Sequence, residues 1–262
     1  MSLCRIALCV RYDGSGYHGW QIQKGLVTLQ GTLERALTFV AAHPINTVCA
    51  GRTDAGVHAS GQVIHFDTEA LRSGHAWTFG ANSNLPGDIS VVWAKEVSRD
   101  FHARFSAKAR RYRYVLYNHD VRPAILRNAV GWWYRELDEE RMQQAAHYLI
   151  GEHDFSSFRG AGCQSHSPFR EIIQLEIRRV RHMVIIEVLG NAFLLHMVRN
   201  IAGVLVAIGS GDRPPEWAKE VLDARDRTQA GITISPAGLY LVDVEYPGTF
   251  ELPRIPLGPF FL

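Results

Sequence analysis

The chain has 262 residues, with 28 Lys and Arg against 26 Asp and Glu, a formal charge of +2. Apolar residues make up 47% and charged residues 21%, an ordinary globular composition that excludes a disordered, collagen-like or low-complexity chain. No run approaches the roughly 20 apolar residues of a membrane span, and the N-terminal apolar stretch, interrupted by Arg5, is too short for a signal peptide, so a cytoplasmic protein is expected.

In chain order, residues 4–12 alternate, with Ile6, Leu8, Val10 and Tyr12 on one face, and predict a strand. Leu29, Leu33, Ala36, Leu37, Val40 and Ala41 recur at helical spacing and predict a helix over 28–42. Short strands fit 45–50 and 61–67, followed by a helix near 69–79 and a strand near 88–97. The second half opens with a strand at 109–118 and a helix at 138–150. Strands near 170–180 and 183–189, a helix at 194–209, a short helix after Pro215 and a strand near 238–246 complete it. Both halves read β-α-β-β-α-β, so the expected class is α+β, with two ferredoxin-like halves, 1–105 and 106–262, built on mostly antiparallel sheets. Sheets joined side by side would leave their other face and the cleft between the halves free for a ligand.

The near-zero net charge hides a local imbalance. Residues 101–123 carry Arg104, Lys108, Arg110, Arg111, Arg113 and Arg122 against Asp120 alone, and Phe101, Phe105, Tyr112, Tyr114 and Tyr117 are threaded through them. Cations that reach phosphates, alternating with rings that stack on bases, suit a nucleic-acid surface. The same pattern also fits a solvated strand whose long basic side chains cover apolar neighbours.

Gly14-Ser15-Gly16-Tyr17-His18-Gly19 matches G-x-G-x-x-G after a strand, yet no helix opens at the third glycine, and Gly25 would break any helix begun there. The segment therefore reads as a glycine-rich bend permitting close backbone approach. In the loop Gly51-Arg52-Thr53-Asp54-Ala55-Gly56-Val57-His58, Asp54 either caps a turn completed by Gly56 or stands exposed as a nucleophile or base, with Arg52 available for a phosphate. On the helix at 194–209, Arg199 lies about 40° from Leu195, inside the stripe of Val198, Ala202, Leu205 and Val206. A cation there needs a carboxylate or an escape to water; Asp54, another acid, or snorkelling all satisfy it. Motifs of metalloproteases, α/β-hydrolases and P-loop NTPases are missing, and Cys4, Cys9, Cys49 and Cys163 form no CxxC pair, so no metal site is expected. His18, His58 and His65 read as packing or RNA-contact residues, Gly209-Ser210-Gly211 as a helix stop, and Trp132-Trp133-Tyr134 as core or subunit contact.

AGRTDAGVHA at 50–59 resembles the active-site motif of the TruA family of tRNA pseudouridine synthases. The resemblance extends to YDGSGYHGWQ at 12–21, NLPGDI at 84–89, FHARFSAKARRYRY at 101–114, HMVRN at 196–200 and GLYLVDVEYP at 238–247. It implies two ferredoxin-like halves around a central basic cleft, and isomerisation of uridine to pseudouridine at positions 38, 39 and 40 of the tRNA anticodon stem-loop. A homodimer without metal or organic cofactor is implied as well, in keeping with a reaction that involves no redox change. By the same resemblance Asp54 is the catalytic nucleophile, attacking C1′ or else assisting glycal formation by taking the 2′ proton, Tyr112 stacks on the uracil and is a candidate for the final deprotonation, and Arg199 pairs with the aspartate. Leu239 packs against the base, and Arg52 assists flipping of the target nucleotide. RNA contacts are implied for Arg52, for Phe101, His102, Ala103, Arg104 and Phe105, for Arg110 and Arg111, and for the loop Gly162, Cys163, Gln164, Ser165 and His166. A non-catalytic RNA-binding protein is the alternative, and a dinucleotide-dependent oxidoreductase, resting on Gly14–Gly19 alone, trails both.

Overall fold

A computed structural model describes residues 3–262; residues 1 and 2, the start of the expected N-terminal half, lie outside the described residues. The fold is mixed α+β, with mostly antiparallel pairing, and among the described residues no helix is long and apolar enough to cross a membrane. The chain divides into two compact units, one running through Arg110 and including Tyr240–Leu262, the other Arg111–Leu239. The final strand thus belongs with the first unit, where the sequence reading had assigned it to the second half. Within that unit Tyr240 pairs in parallel with His58, and Leu241 with Ala59.

The first unit contains β1 (Cys4–Tyr12), α1 (Leu29–Ala41), β2 (Val48–Cys49), β3 (His58–Thr68), α2 (Gly74–Asn84) and β4 (Ile89–Val97). It also holds most of β10 (Leu239–Glu245), in the sheet order β4-β1-β3-β10, with β2 beside β3. Ile6, Leu8 and Val10 are buried, and so are Ala7 and Cys9 on the opposite face of β1. Elsewhere in the unit Phe101 packs against Tyr246 and Phe250, with ring centroids 5.0 and 5.1 Å apart. Both faces of β1 are therefore covered, and its alternation does not mark a solvent-facing side. Thr28 caps α1 through Gly31 N–H. The helix expected at 69–79 begins instead at Gly74, because Ser73 accepts from Ala76 N–H, while Thr68 Oγ1 turns the chain at Ala70.

The second unit contains β5 (Ala109–Asn118, from Arg111 onward), β6 (Gly131–Trp133), α3 (Glu139–His147), β7 (Gly151–Asp154), β8 (Phe169–Val180), β9 (Met183–Gly190), α4 (Met197–Gly209) and α5 (Trp217–Ala224). Its sheet runs β5-β9-β8-β7, with β6 parallel to β5. β6 and β7 are absent from the sequence reading: three and four residues long, they owe their extended form to a neighbouring strand and not to their own pattern. α4 starts three residues later than expected, since His196 adopts a left-handed conformation at its N-cap; the helix then buries Ile201, Ala202, Val204 and Leu205 completely. It stops at Gly209, with Gly211 at φ +80, as the glycines predict.

Candidate active site

The loop between β2 and β3 carries Arg52 exposed and Asp54 half-buried. Its conformation follows from its neighbours. Val57 N–H donates to Asp54 O at 3.1 Å, and Gly56 supplies the φ of +77 that closes the turn. Thr53 is buried, sharing a 2.9 Å hydrogen bond with Tyr12 Oη, while Gln62 Nε2 donates to Gly51 O at 2.6 Å. The glycine-rich bend serves as the loop's support: Trp20 N–H donates to Thr53 O at 2.9 Å, and Gly14 N–H to His58 Nδ1 at 3.1 Å. A side chain at Gly14 would stand 1.9 Å from Val57 O, so glycine is obligatory there. His58, fully enclosed, stacks on Tyr240 at 4.7 Å. The loop thus presents one carboxylate and one exposed guanidinium from a base held by backbone hydrogen bonds on both sides.

The same unit holds the FHARF segment. Phe101 and Ala103 have no exposed surface and act as its anchors, whereas Arg104 and Phe105 face outward, Phe105 at 76% exposure. His102 stacks under Phe105 at 4.3 Å, and its Nδ1 accepts from the N–H groups of Arg104 and Phe105. Arg104 lies over the Phe105 ring at 5.6 Å, so a ring and a cation are offered together. His65 Nδ1 accepts from Ala103 N–H at 3.1 Å; burial first, then Arg5 and His102, hold its pKa down to about 4, so it is a neutral packing residue at pH 7. Arg110 donates from Nη2 to Ala50 O at 3.1 Å and to Arg104 O at 2.7 Å, joining the Asp54 loop to the FHARF segment. This structural role escaped the sequence reading, which gave Arg110 as an RNA contact.

In the second unit Tyr112 is 8% exposed on β5, its ring edge-on to Phe193. Its neighbours Arg111 and Arg113 both reach Glu187, so these two cations of the basic run form ion pairs within the sheet. Arg199 is half-buried and donates from Nε to Ile234 O at 2.8 Å. Leu239 is buried at the end of a 3-10 turn, Pro236–Gly238. A side chain at Gly238 would meet Val115 O at 2.4 Å, so the close approach that seats Leu239 depends on glycine. The loop Gly162–His166 is exposed at Gly162, Gln164 and His166, and is braced by Arg159, which donates to Cys163 O at 2.6 Å and Ser165 O at 2.8 Å. Among the described residues no group of three His, Cys, Asp or Glu side chains is placed to hold a metal ion.

A family model described as tRNA pseudouridine synthase matches residues 8–106 and 145–247. The chain is 69% identical over 260 residues to tRNA pseudouridine synthase A of Coxiella burnetii (strain Dugway 5J108-111), covering 99% of this chain and 100% of that relative. To the protein of the same name from Vibrio parahaemolyticus it is 56% identical over 258 residues, 98% of each chain. The Aliivibrio fischeri counterpart is 55% identical over the same 258-residue length.

Proposed function

The chain belongs to the tRNA pseudouridine synthase family, and we propose that Asp54 is the nucleophile through which it works. The enzyme isomerises uridine to pseudouridine in tRNA. That reaction breaks the bond between ribose C1′ and uracil N1, turns the detached base, joins C1′ to C5, and removes the C5 proton while N1 gains one. The Asp54 carboxylate attacks C1′ and releases the uracil as an anion; when C5 closes on C1′ the carboxylate leaves again. Tyr112 stacks on the uracil during its turn and takes part in the final deprotonation. Arg199 pairs with the aspartate, and Leu239 packs against the base.

The observation that carries this reading is the Asp54 loop itself, a half-exposed carboxylate on a turn braced by buried residues, beside an exposed arginine. A loop built only to turn the chain would not require the tight glycine-rich support beneath it. The substrate site is uridine 38, 39 or 40 of the anticodon stem-loop, and a paired uridine must first be flipped out, at a cost of a few kcal/mol. Arg52 holds the phosphate of the flipped nucleotide. His102, Arg104 and Phe105 contact the RNA directly, on the footing that Phe101 and Ala103 provide, and Gly162, Cys163, Gln164, Ser165 and His166 form a second contact. Arg110 and Arg111 shape these surfaces through their bonds to Ala50, Arg104 and Glu187. Each half is read as ferredoxin-like, supported in the first unit by the order β1-α1-β2-β3-α2-β4. The protein works as a cytoplasmic homodimer.

The test is tritium release from an anticodon stem-loop labelled at uracil C5. Wild type releases tritium and Asp54→Asn is slower by roughly 10³-fold or more, with tRNA binding kept. Equal release by the variant would remove Asp54 from the chemistry. Tight binding without release by either protein would favour a non-catalytic RNA-binding role.

A further inference from the structure

Tyr112 is flanked on β5 by two arginines that the sheet turns to its opposite face, since successive strand side chains alternate. There both converge on Glu187 of β9: Arg111 Nη1 donates to Oε1 at 2.8 Å and Arg113 Nε to Oε2 at 2.5 Å. Gln174 Oε1 accepts a further hydrogen bond from Arg111 Nη1 at 3.1 Å. Burial pushes the Glu187 carboxyl up, but the two arginines outweigh it and hold it below the usual carboxylate range. The backbone on either side of Tyr112 is therefore clamped to β9.

Against the Tyr112 ring, on the face away from the clamp, stands Phe193. The two rings meet edge-to-face, centroids 5.1 Å apart and planes at 80°, a preferred aromatic geometry. The turn bearing Phe193 is itself pinned, with Asn191 N–H donating to Glu171 O and Glu171 N–H to Asn191 Oδ1, both at 3.1 Å. A side chain at Gly190 would stand 2.8 Å from Glu171 O and 2.9 Å from the Phe193 ring, so the seat of that ring requires glycine.

We infer that Phe193 is a positioning residue, fixing the plane in which the Tyr112 ring meets the uracil. The inference rests on the proposed stacking of Tyr112 on that base. A misplacement of about 1 Å costs up to about 100-fold in rate, so a ring displaced from its edge-to-face seat slows the chemical step and not the binding of tRNA.

Phe193→Leu, Phe193→Tyr and Tyr112→Leu are compared with wild type by single-turnover tritium release from tRNA, by filter binding, and by thermal melting. Phe193→Leu is expected to react about tenfold more slowly, with tRNA affinity unchanged, while Phe193→Tyr, which keeps the ring, restores the rate. If the Leu variant melts early, Phe193→Met is used with the same expectation. A wild-type rate in the Leu and Met variants, a loss confined to affinity, or a Tyr variant as slow as the Leu variant would each overturn the inference. Tyr112→Leu separates the two readings: slow Tyr112→Leu with normal Phe193→Leu sinks the positioning role alone, whereas normal Tyr112→Leu sinks both.

Discussion

The N–H of Trp20 donates to the carbonyl oxygen of Thr53 across 2.9 Å, one residue before Asp54. The same carbonyl lies 2.9 Å from where a side chain at Gly19 would begin, and Gly19 has φ +82. Contact and conformation thus make one demand: a bend this close to the Asp54 loop is open only to glycine.

Gly19→Ala is accordingly expected to cost about 1–2 kcal/mol from the left-handed backbone alone. Displacement of the Thr53 carbonyl adds to that, and turnover should fall further than tRNA affinity because the shift is passed to Asp54. Urea unfolding and single-turnover tritium release measure the two effects. Equal losses of turnover and affinity would show that the bend supports the loop without setting the position of its carboxylate.

His65 makes stability depend on acidity. Its folded pKa, held down to about 4, lies below the ordinary value of 6.5, so between those values the unfolded chain binds the proton more readily. Its contribution is complete above about pH 6.5 and is lost as pH falls through the window towards 4, amounting to at most about 3 kcal/mol. His65→Asn keeps an acceptor for the Ala103 N–H without a titrating ring, and is expected to flatten this part of the profile. Urea midpoints at pH 7.0 and 4.5 for both proteins check it; parallel curves would assign the acid sensitivity elsewhere.

The four cysteines are expected to differ in reactivity. Burial pushes Cys9 and Cys49 up to about 12, and Cys4 is raised as well. At Cys163 burial acts in the same direction, but the backbone at Leu195 and Ser165 and the Arg159 guanidinium outweigh it, lowering the thiol. Alkylation at pH 7.5, followed by peptide mass spectrometry, should therefore modify Cys163 first. Saturating tRNA should protect it if the loop Gly162–His166 contacts RNA. Fast labelling unaffected by tRNA would take that loop out of the RNA surface.

Much of this was legible in the chain itself. The strand at Cys4–Tyr12 and the helix at Leu29–Ala41 follow from patterns repeating within a dozen residues. The start of α2 was misjudged because the cap at Ser73, a local hydrogen bond, outweighs a faint periodicity. β6 and β7 were invisible because so short a strand carries too few residues to show a pattern. Asp54 and Arg52 stood out by their motif, but Phe193, an ordinary apolar residue after a strand, gave no sign of its place against Tyr112.

By itself the sequence determined the α+β class, the order of most elements, and the family, because periodicity and motif are local properties that survive without coordinates. Only tertiary structure decided which partners Arg110, Arg111 and Arg113 of the basic run take. Arg111 is 76 residues from Glu187 in the chain, and Arg110 is 60 from Ala50. Whether a cation faces a phosphate, a carboxylate or a carbonyl depends on which distant segment the fold brings within about 3 Å of it, and no count of charges along the chain contains that distance.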